Sequence, residues 1–126
     1  METLVTAAQM AEIDKVAQEQ GIPGMVLMEN AGQHALRIWL RLALSEAPRG
    51  AEPRELGPVV AVAGAGNNGG DALVMARGCS NLGIPVTTVL SKRELIGSAE
   101  EQHRILQSMG VRLLYWGEPA ARQVID

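Results

Sequence analysis

The sequence predicts an α/β domain built on a mainly parallel sheet, and three observations carry that reading. Short aliphatic and β-branched runs at Val59–Ala63, Pro85–Leu90 and Val111–Tyr115 alternate with stretches of helical periodicity. Such alternation, with short connections, implies parallel strands joined by right-handed crossovers. The first run, Val59-Val60-Ala61-Val62-Ala63, is apolar at every position, as expected of a strand covered on both faces. A glycine-rich segment, Gly64 to Asp71, follows it and opens into a helix. The length of 126 residues suits one modest domain and not two.

The elements follow in order. Thr6 and Gln9 have the spacing of a capping box. Met10, Ile13, Val16 and Ala17 then recur at helical intervals until about Gln20, and Gly21 ends the run. After Pro23-Gly24 the pattern predicts a second helix over 25–44, with Gly32 marking a close backbone contact inside it. Residues 45–58 turn to Pro, Gly, Glu and Arg and read as a surface loop. The first strand and glycine turn come next, then a short helix over 72–82 closed by Gly83. A second strand occupies 85–90. Ser98-Ala99-Glu100-Glu101 has capping-box spacing and predicts a helix through Ile105, Leu106 and Met109, stopped by Gly110. A third strand at 111–115 precedes one helical turn at 118–123, and Val124-Ile125-Asp126 reads as the start of a fourth strand. The expected unit is thus a single Rossmann-like, three-layer αβα domain with a mainly parallel sheet, truncated at the opening of its fourth strand. Residues 1–57 supply helices and a loop, and 58–126 a βαβαβ part.

Composition excludes several functions. Eleven basic against 14 acidic residues give a net charge of −3, without a basic stripe. Aromatics are only 2% of the chain, with no Phe. Nucleic-acid binding needs clustered cations and commonly stacking rings, so no nucleic-acid partner is expected. No stretch approaches the roughly 20 apolar residues of a membrane helix. The lone Cys79 forms no internal disulfide, and the start of the chain lacks a signal-peptide pattern; both point to the cytoplasm.

Strand, glycine turn and helix together aim unpaired backbone N–H groups and the positive end of a helix dipole at one point, which attracts anions. Gly64, Gly66 and Gly69 satisfy G-x-G-x-x-G in the right context; their plainer use is positive φ and close packing. The acid that a nicotinamide dehydrogenase places after its second strand is missing, and Ser91-Lys92-Arg93 stands there instead. Asp71 reads either as a favourable helix-start charge or as an acceptor for ligand hydroxyls. Asn67 and Asn68 either contact a ligand or hard cation, or are simply tolerated in a left-handed turn. Glu29-Asn30, within an otherwise apolar helix, either caps or hydrogen-bonds neighbouring backbone or reaches the site. His34 and His103 read as solvated surface residues, Cys79 as a packed small side chain, and Met25 and Met28 as core fillers.

Gly66-Asn67-Asn68-Gly69-Gly70-Asp71, after an apolar strand, resembles the signature of the YjeF N-terminal domain family, the NAD(P)H-hydrate epimerases. Leu27-Met28-Glu29-Asn30-Ala31-Gly32 resembles the family's N-terminal helix motif, and the Met10–Asp14 helix and the Gly97-Ser98-Ala99 helix start also fit. The resemblance implies interconversion of the R and S forms of NADHX and NADPHX, with no redox cofactor, beside a dehydratase that acts separately or on the same chain. It places Asn67, Asn68, Gly69, Gly70 and Asp71 at the substrate and gives Asn68 and Asp126 to a potassium ion. The family's acid–base Asp falls beyond residue 126. A homodimer is compatible with it. A non-catalytic nucleotide-binding or dimerisation module of the same fold is the other expectation.

Overall fold

The computed structural model describes residues 3–126. Its elements are α1 (Ala7–Glu19), α2 (Gly24–Glu46), a short 3-10 turn (Pro53–Glu55), β1 (Val59–Ala63), α3 (Asn67–Asn81), β2 (Val86–Leu90), α4 (Gly97–Ser108), β3 (Arg112–Tyr115) and α5 (Pro119–Ile125). The three strands are parallel in the order β1-β2-β3. Val59 to Ala63 register against Val86 to Leu90, and Thr87 to Leu90 against Arg112 to Tyr115.

Local chemistry explains where the elements begin and end. The Thr6 side chain accepts from the Gln9 amide while Gln9 accepts from the Thr6 amide, so the predicted capping box opens α1. Gly21, Gly83 and Gly110 take positive φ just beyond α1, α3 and α4, where a left-handed residue ends a helix and glycine does so without strain.

The core lies on one face of the sheet. Ala61, Ala63, Val86 and Leu90 meet Leu73, Val74 and Ala76 of α3, with Ala99 and Leu106 of α4 and Met28 of α2 closing the cluster. A second cluster joins Leu36 of α2 and Cys79 of α3 to Ile84, flanked by Trp39 and Leu40. Cys79 and Met28 are therefore packed side chains, as expected. Because α2 lies across α3 and α3 lies on the sheet, glycines set the spacing. A Cβ at Gly32 would stand 2.6 Å from Val74 Cγ1 and 3.0 Å from the Asp71 carbonyl oxygen. The predicted close contact at Gly32 is thus between α2 and the backbone of α3.

Four expectations are corrected. Helix α3 starts at Asn67, not at residue 72, so the Asn-Asn-Gly-Gly-Asp segment is helical and only Gly64–Gly66 forms the turn. Strand β1 is covered on one face only: Val60 and Val62 remain 38% and 62% exposed, because α3 and α4 pack against the other side. Ser98 caps nothing; α4 opens one residue earlier, at Gly97, with Ile96 at its cap and no side-chain hydrogen bond there. Finally, Val124 and Ile125 continue α5 instead of starting a fourth strand. Pro119, in the first turn, presets the helical φ, and the Asp126 amide still donates to the Arg122 carbonyl.

A polar knot joins the three helices behind the core. Glu29 of α2 ion-pairs with Arg77 of α3, accepts from Gln33 Nε2 at 3.0 Å, and meets Gln102 Nε2 of α4 at 3.5 Å. Asn30, one residue on, is exposed. Glu29 therefore serves neither expected role: it neither bonds neighbouring backbone nor lines the groove, but ties together side chains of three helices.

Gly32→Ala should destabilise the fold by about 2 kcal/mol, the usual scale of overpacking, seen as a lower urea midpoint with an unchanged slope. Glu29→Ala should cost a similar amount, roughly 2–3 kcal/mol, because it leaves the half-buried Arg77 guanidinium unpaired. Glu29→Gln should lose less in the same denaturation experiment.

Candidate functional site

The head of α3 opens onto a groove of about 930 Å³. Met10, Ala11, Asp14, Lys15 and Gln18 of α1 form one wall; Gly24, Leu27, Met28 and Ala31 of α2 the floor; Asn67, Asn68 and Asp71 of α3, with Ser98 of α4, the opposite wall. Pockets for small ligands commonly span roughly 300–1,000 Å³. The groove is on the side of the sheet where the strands end, the usual location of ligand sites in open α/β sheets.

The glycine signature divides into two functions along the helix. Gly69 and Gly70 are buried. A Cβ on Gly69 would overlap the Gly64 carbonyl oxygen, and one on Gly70 would overlap the Met28 thioether and stand 3.4 Å from Ala99 Cα. These two residues let the start of α3 press against the end of β1, α2 and α4, and neither lines the groove. Asn67 and Asn68 instead sit exposed in the first turn, where the backbone N–H groups have no intrahelical acceptor. No side chain caps that turn: Gly66 occupies the cap position.

Asp71 lies one turn deeper and half-buried at the groove wall. With α3 starting at Asn67, it is past the first turn, so the helix-start charge is not its role. Burial raises the Asp71 pKa above the ordinary carboxylate value, and the Asp14 carboxylate adds to the rise. A helix N-terminus acting on it would lower the pKa instead.

Other expected site residues lie elsewhere. Asp126 is exposed beyond α5 and is not among the groove-lining residues. His34 is exposed as expected, but His103 is not a surface residue: it is only 7% exposed and its Nε2 lies 2.9 Å from the Tyr115 hydroxyl. Ala99, His103 and Leu106 fall on one buried stripe of α4, a spacing already present in the sequence. Arg93, in the segment that replaces a ribose-binding acid, ion-pairs with Glu118 and lies 4.2 Å above the Tyr115 ring. Sequence reasoning missed Asp14, Gln18 and Ser98 as groove residues, since α1, α3 and α4 are far apart in the chain and only the tertiary arrangement sets them around one groove. Among the described residues no three His, Cys, Asp or Glu side chains cluster to hold a metal, and no helix is long and apolar enough to cross a membrane.

Residues 24–124 match the family described as YjeF-related protein N-terminus. The chain belongs to that family. It is similar to an NAD(P)H-hydrate epimerase of Rhodopirellula baltica, 33% identical over 132 residues, covering 97% of this chain and 50% of that protein. It is likewise similar to a bifunctional NAD(P)H-hydrate repair enzyme, Nnr, of Moorella thermoacetica, 40% identical over 114 residues and covering 88% of this chain and 20% of the enzyme. The crystal structure of yeast ynu0 (YNL200c) superposes with a TM-score of 0.76 at 30% identity, over 94% of this chain and 49% of that one. The family member described here thus spans about half the length of the epimerase relative and of the yeast protein. The yeast likeness agrees with the αβα architecture read from the strand and helix pattern.

The raised Asp71 pKa has a signed consequence. The folded state disfavours the charged carboxylate, so the penalty is present above the folded pKa and vanishes below the unfolded value of about 3.9. Asp71→Asn should therefore raise the melting temperature at pH 7 by a few degrees, and the advantage should disappear as the pH falls toward 4 in a series of thermal melts.

Proposed function

We propose that this chain is the N-terminal part of an NAD(P)H-hydrate epimerase and that its groove receives the hydrated dinucleotide. One observation carries the reading: Asn67, Asn68 and Asp71 stand together at the head of α3, facing a groove large enough for a nucleotide, while the intervening glycines are used up in packing. A scaffold needs the glycines but has no use for two exposed asparagines and a half-buried carboxylate at a groove.

The chemistry asks little of the protein. Epimerisation at the hydrated ring carbon proceeds by loss and return of hydroxide from either face, assisted by the ring nitrogen. It needs one group to exchange a proton with the leaving oxygen and a firm hold on the dinucleotide. In this chain Asn67 and Asn68 offer amide donors and carbonyl acceptors, and the first-turn N–H groups offer further donors. Asp71 accepts from ligand hydroxyls, and its heightened hold on a proton suits it to exchange one. The acid–base Asp implied by the family lies beyond residue 126.

Potassium belongs to the same proposal only in part. Of its two expected ligands, Asn68 lines the groove and Asp126 does not, so the residues present do not complete a cation site. A dehydratase specific for the S form, separate or fused, is the expected partner in repair, and the cytoplasm the expected setting. The exposed apolar residues Val5, Ile13 and Val16 support a homodimer.

The second reading, a non-catalytic binding or dimerisation module, draws on the chain's spanning only half of its epimerase relative. Calorimetry with NADP+ separates the two from a pure scaffold. Wild type should bind, and Asn68→Ala should weaken binding about tenfold, the loss of one or two hydrogen bonds. No binding to a folded sample would sink the site reading. Adding the chain to the R epimer with an S-specific dehydratase then decides activity: faster repair supports the epimerase, and binding without acceleration supports the module.

A further inference from the structure

Helix α1 leaves large apolar side chains in solvent. Ile13 and Val16, with Val5 just before the helix, are 50%, 39% and 45% exposed and line a separate shallow apolar surface. Asp14 and Gln18, on the opposite side, turn toward the domain and line the groove. A surface helix ordinarily turns its apolar stripe to the core and its polar face to water. No residue of α1 is buried, so hydrophobic burial does not set this orientation. A groove-facing side that carries Asp14, Lys15, Gln18 and Glu19 beside Met10 and Ala11, set across an open groove from Asn67, Asn68 and Asp71, is the arrangement of a ligand site with two sides.

We propose that α1 forms the second wall of the dinucleotide site and that Asp14 binds the sugar-hydroxyl part of the ligand together with Asp71. The inference rests on the groove reading given above and deepens it. Two carboxylates on facing walls repel an anion placed between them and attract a hydrogen-bond donor. The phosphates of a dinucleotide therefore lie away from the Asp14–Asp71 side, toward the free N–H groups at the head of α3. The part that faces the pair carries hydroxyls, and a ribose presents two of them side by side. Lys15, the one basic side chain among the described groove residues, lies 3.9 Å from Glu19 in an exposed pair, so the lining stays acidic on balance, with Asp14, Glu19 and Asp71 against Lys15. Burial raises the Asp71 pKa and the Asp14 carboxylate adds to the rise, in keeping with the two carboxylates lining one groove. The connection to α2 passes through Gly21, at a positive φ, Ile22 and Pro23, so α1 is joined to the body by a short turn.

The test combines calorimetry and hydrogen exchange on the whole chain, with NADP+ as the probe. Wild type should show slowed amide exchange on NADP+ binding at the head of α3 and across residues 10–18. Asp14→Ala should bind about tenfold more weakly, as expected for one lost charge-assisted hydrogen bond. It should also lose the protection of α1 while keeping that of α3, and Asp14→Asn should lie between the two. Glu12→Gln, on the outer side of α1, should leave both readouts unchanged. If Asp14→Ala binds equally well or more tightly, Asp14 only repels the ligand and the inference fails. Protection confined to α3 in wild type also overturns it. Binding that is weakened by Asn68→Ala but not by Asp14→Ala overturns the role of α1 and leaves the groove reading standing. Failure of folded wild type to bind NADP+ overturns both.

Discussion

Everything in this fold depends on how closely α3 can approach its neighbours. The helix leaves β1 through a turn of three residues, packs back onto β1 and β2, and supports α2 and α4 on its other sides. Gly69 makes the first approach possible by resting against the backbone of Gly64. Gly70 makes room for Met28 and Ala99, Gly78 for Leu36, and Gly32 of α2 for Val74. Side chains at these positions would push the helices apart by a methyl group or more, and a close-packed interior tolerates such changes poorly. With so few aromatic residues, the core is filled by Leu, Val, Ala and Met, and that filling works only because the backbones lie close.

The same constraint creates the site. Since α3 begins at Asn67, the inward-facing residues of its first turns are Gly69 and Gly70, and the outward-facing ones are Asn67, Asn68 and Asp71. Packing groups and groove-lining groups therefore alternate within one signature. Close packing of α2 brings Met28 and Ala31 under the groove, and the turn at Gly21–Pro23 returns α1 over it. Asp71 then finds itself partly desolvated and near Asp14, and both effects favour its neutral form. Behind the groove, the Glu29–Arg77 pair and Gln102 lock α2, α3 and α4 together, which fixes the wall that carries Asn67 and Asn68. A site held by packed helices keeps its donors in place without help from the ligand.

Strand β1 shows the opposite situation. It is an edge strand, with Val60 and Val62 bare on the face away from α3. Val89 of β2, which registers with Val62, is buried instead. The small helix α5 packs on β3, with Ala121 fully buried, and makes no comparable contact with β1. An open apolar edge is a liability for association. The epimerase relative and the yeast protein, which match over nearly all of this chain, are about twice as long.

Much of this was legible in the sequence because it depends on local rules. Thr6 and Gln9 cap a helix through groups three residues apart. Gly21, Gly83 and Gly110 end helices because only glycine takes positive φ without strain. The alternating runs at 59–63, 85–90 and 111–115 were enough to establish a parallel sheet, and the Asn-Asn-Gly-Gly-Asp signature marked the right end of it. The features that escaped depend on partners distant in the chain. An apolar pentapeptide does not reveal which of its faces is covered. Val124-Ile125 has strand-forming residues, but Pro119 and contact with β3 favour a helix. His103 reads as polar surface until Tyr115 is brought beneath it. By itself the sequence determined the order of elements, the glycine contacts and the identity of the polar groups at the head of α3, since each follows from backbone conformation and short-range spacing. Only the tertiary structure decided that Asp14 and Asp71 line one groove, because that pairing joins residues 57 positions apart, beyond the reach of any local rule.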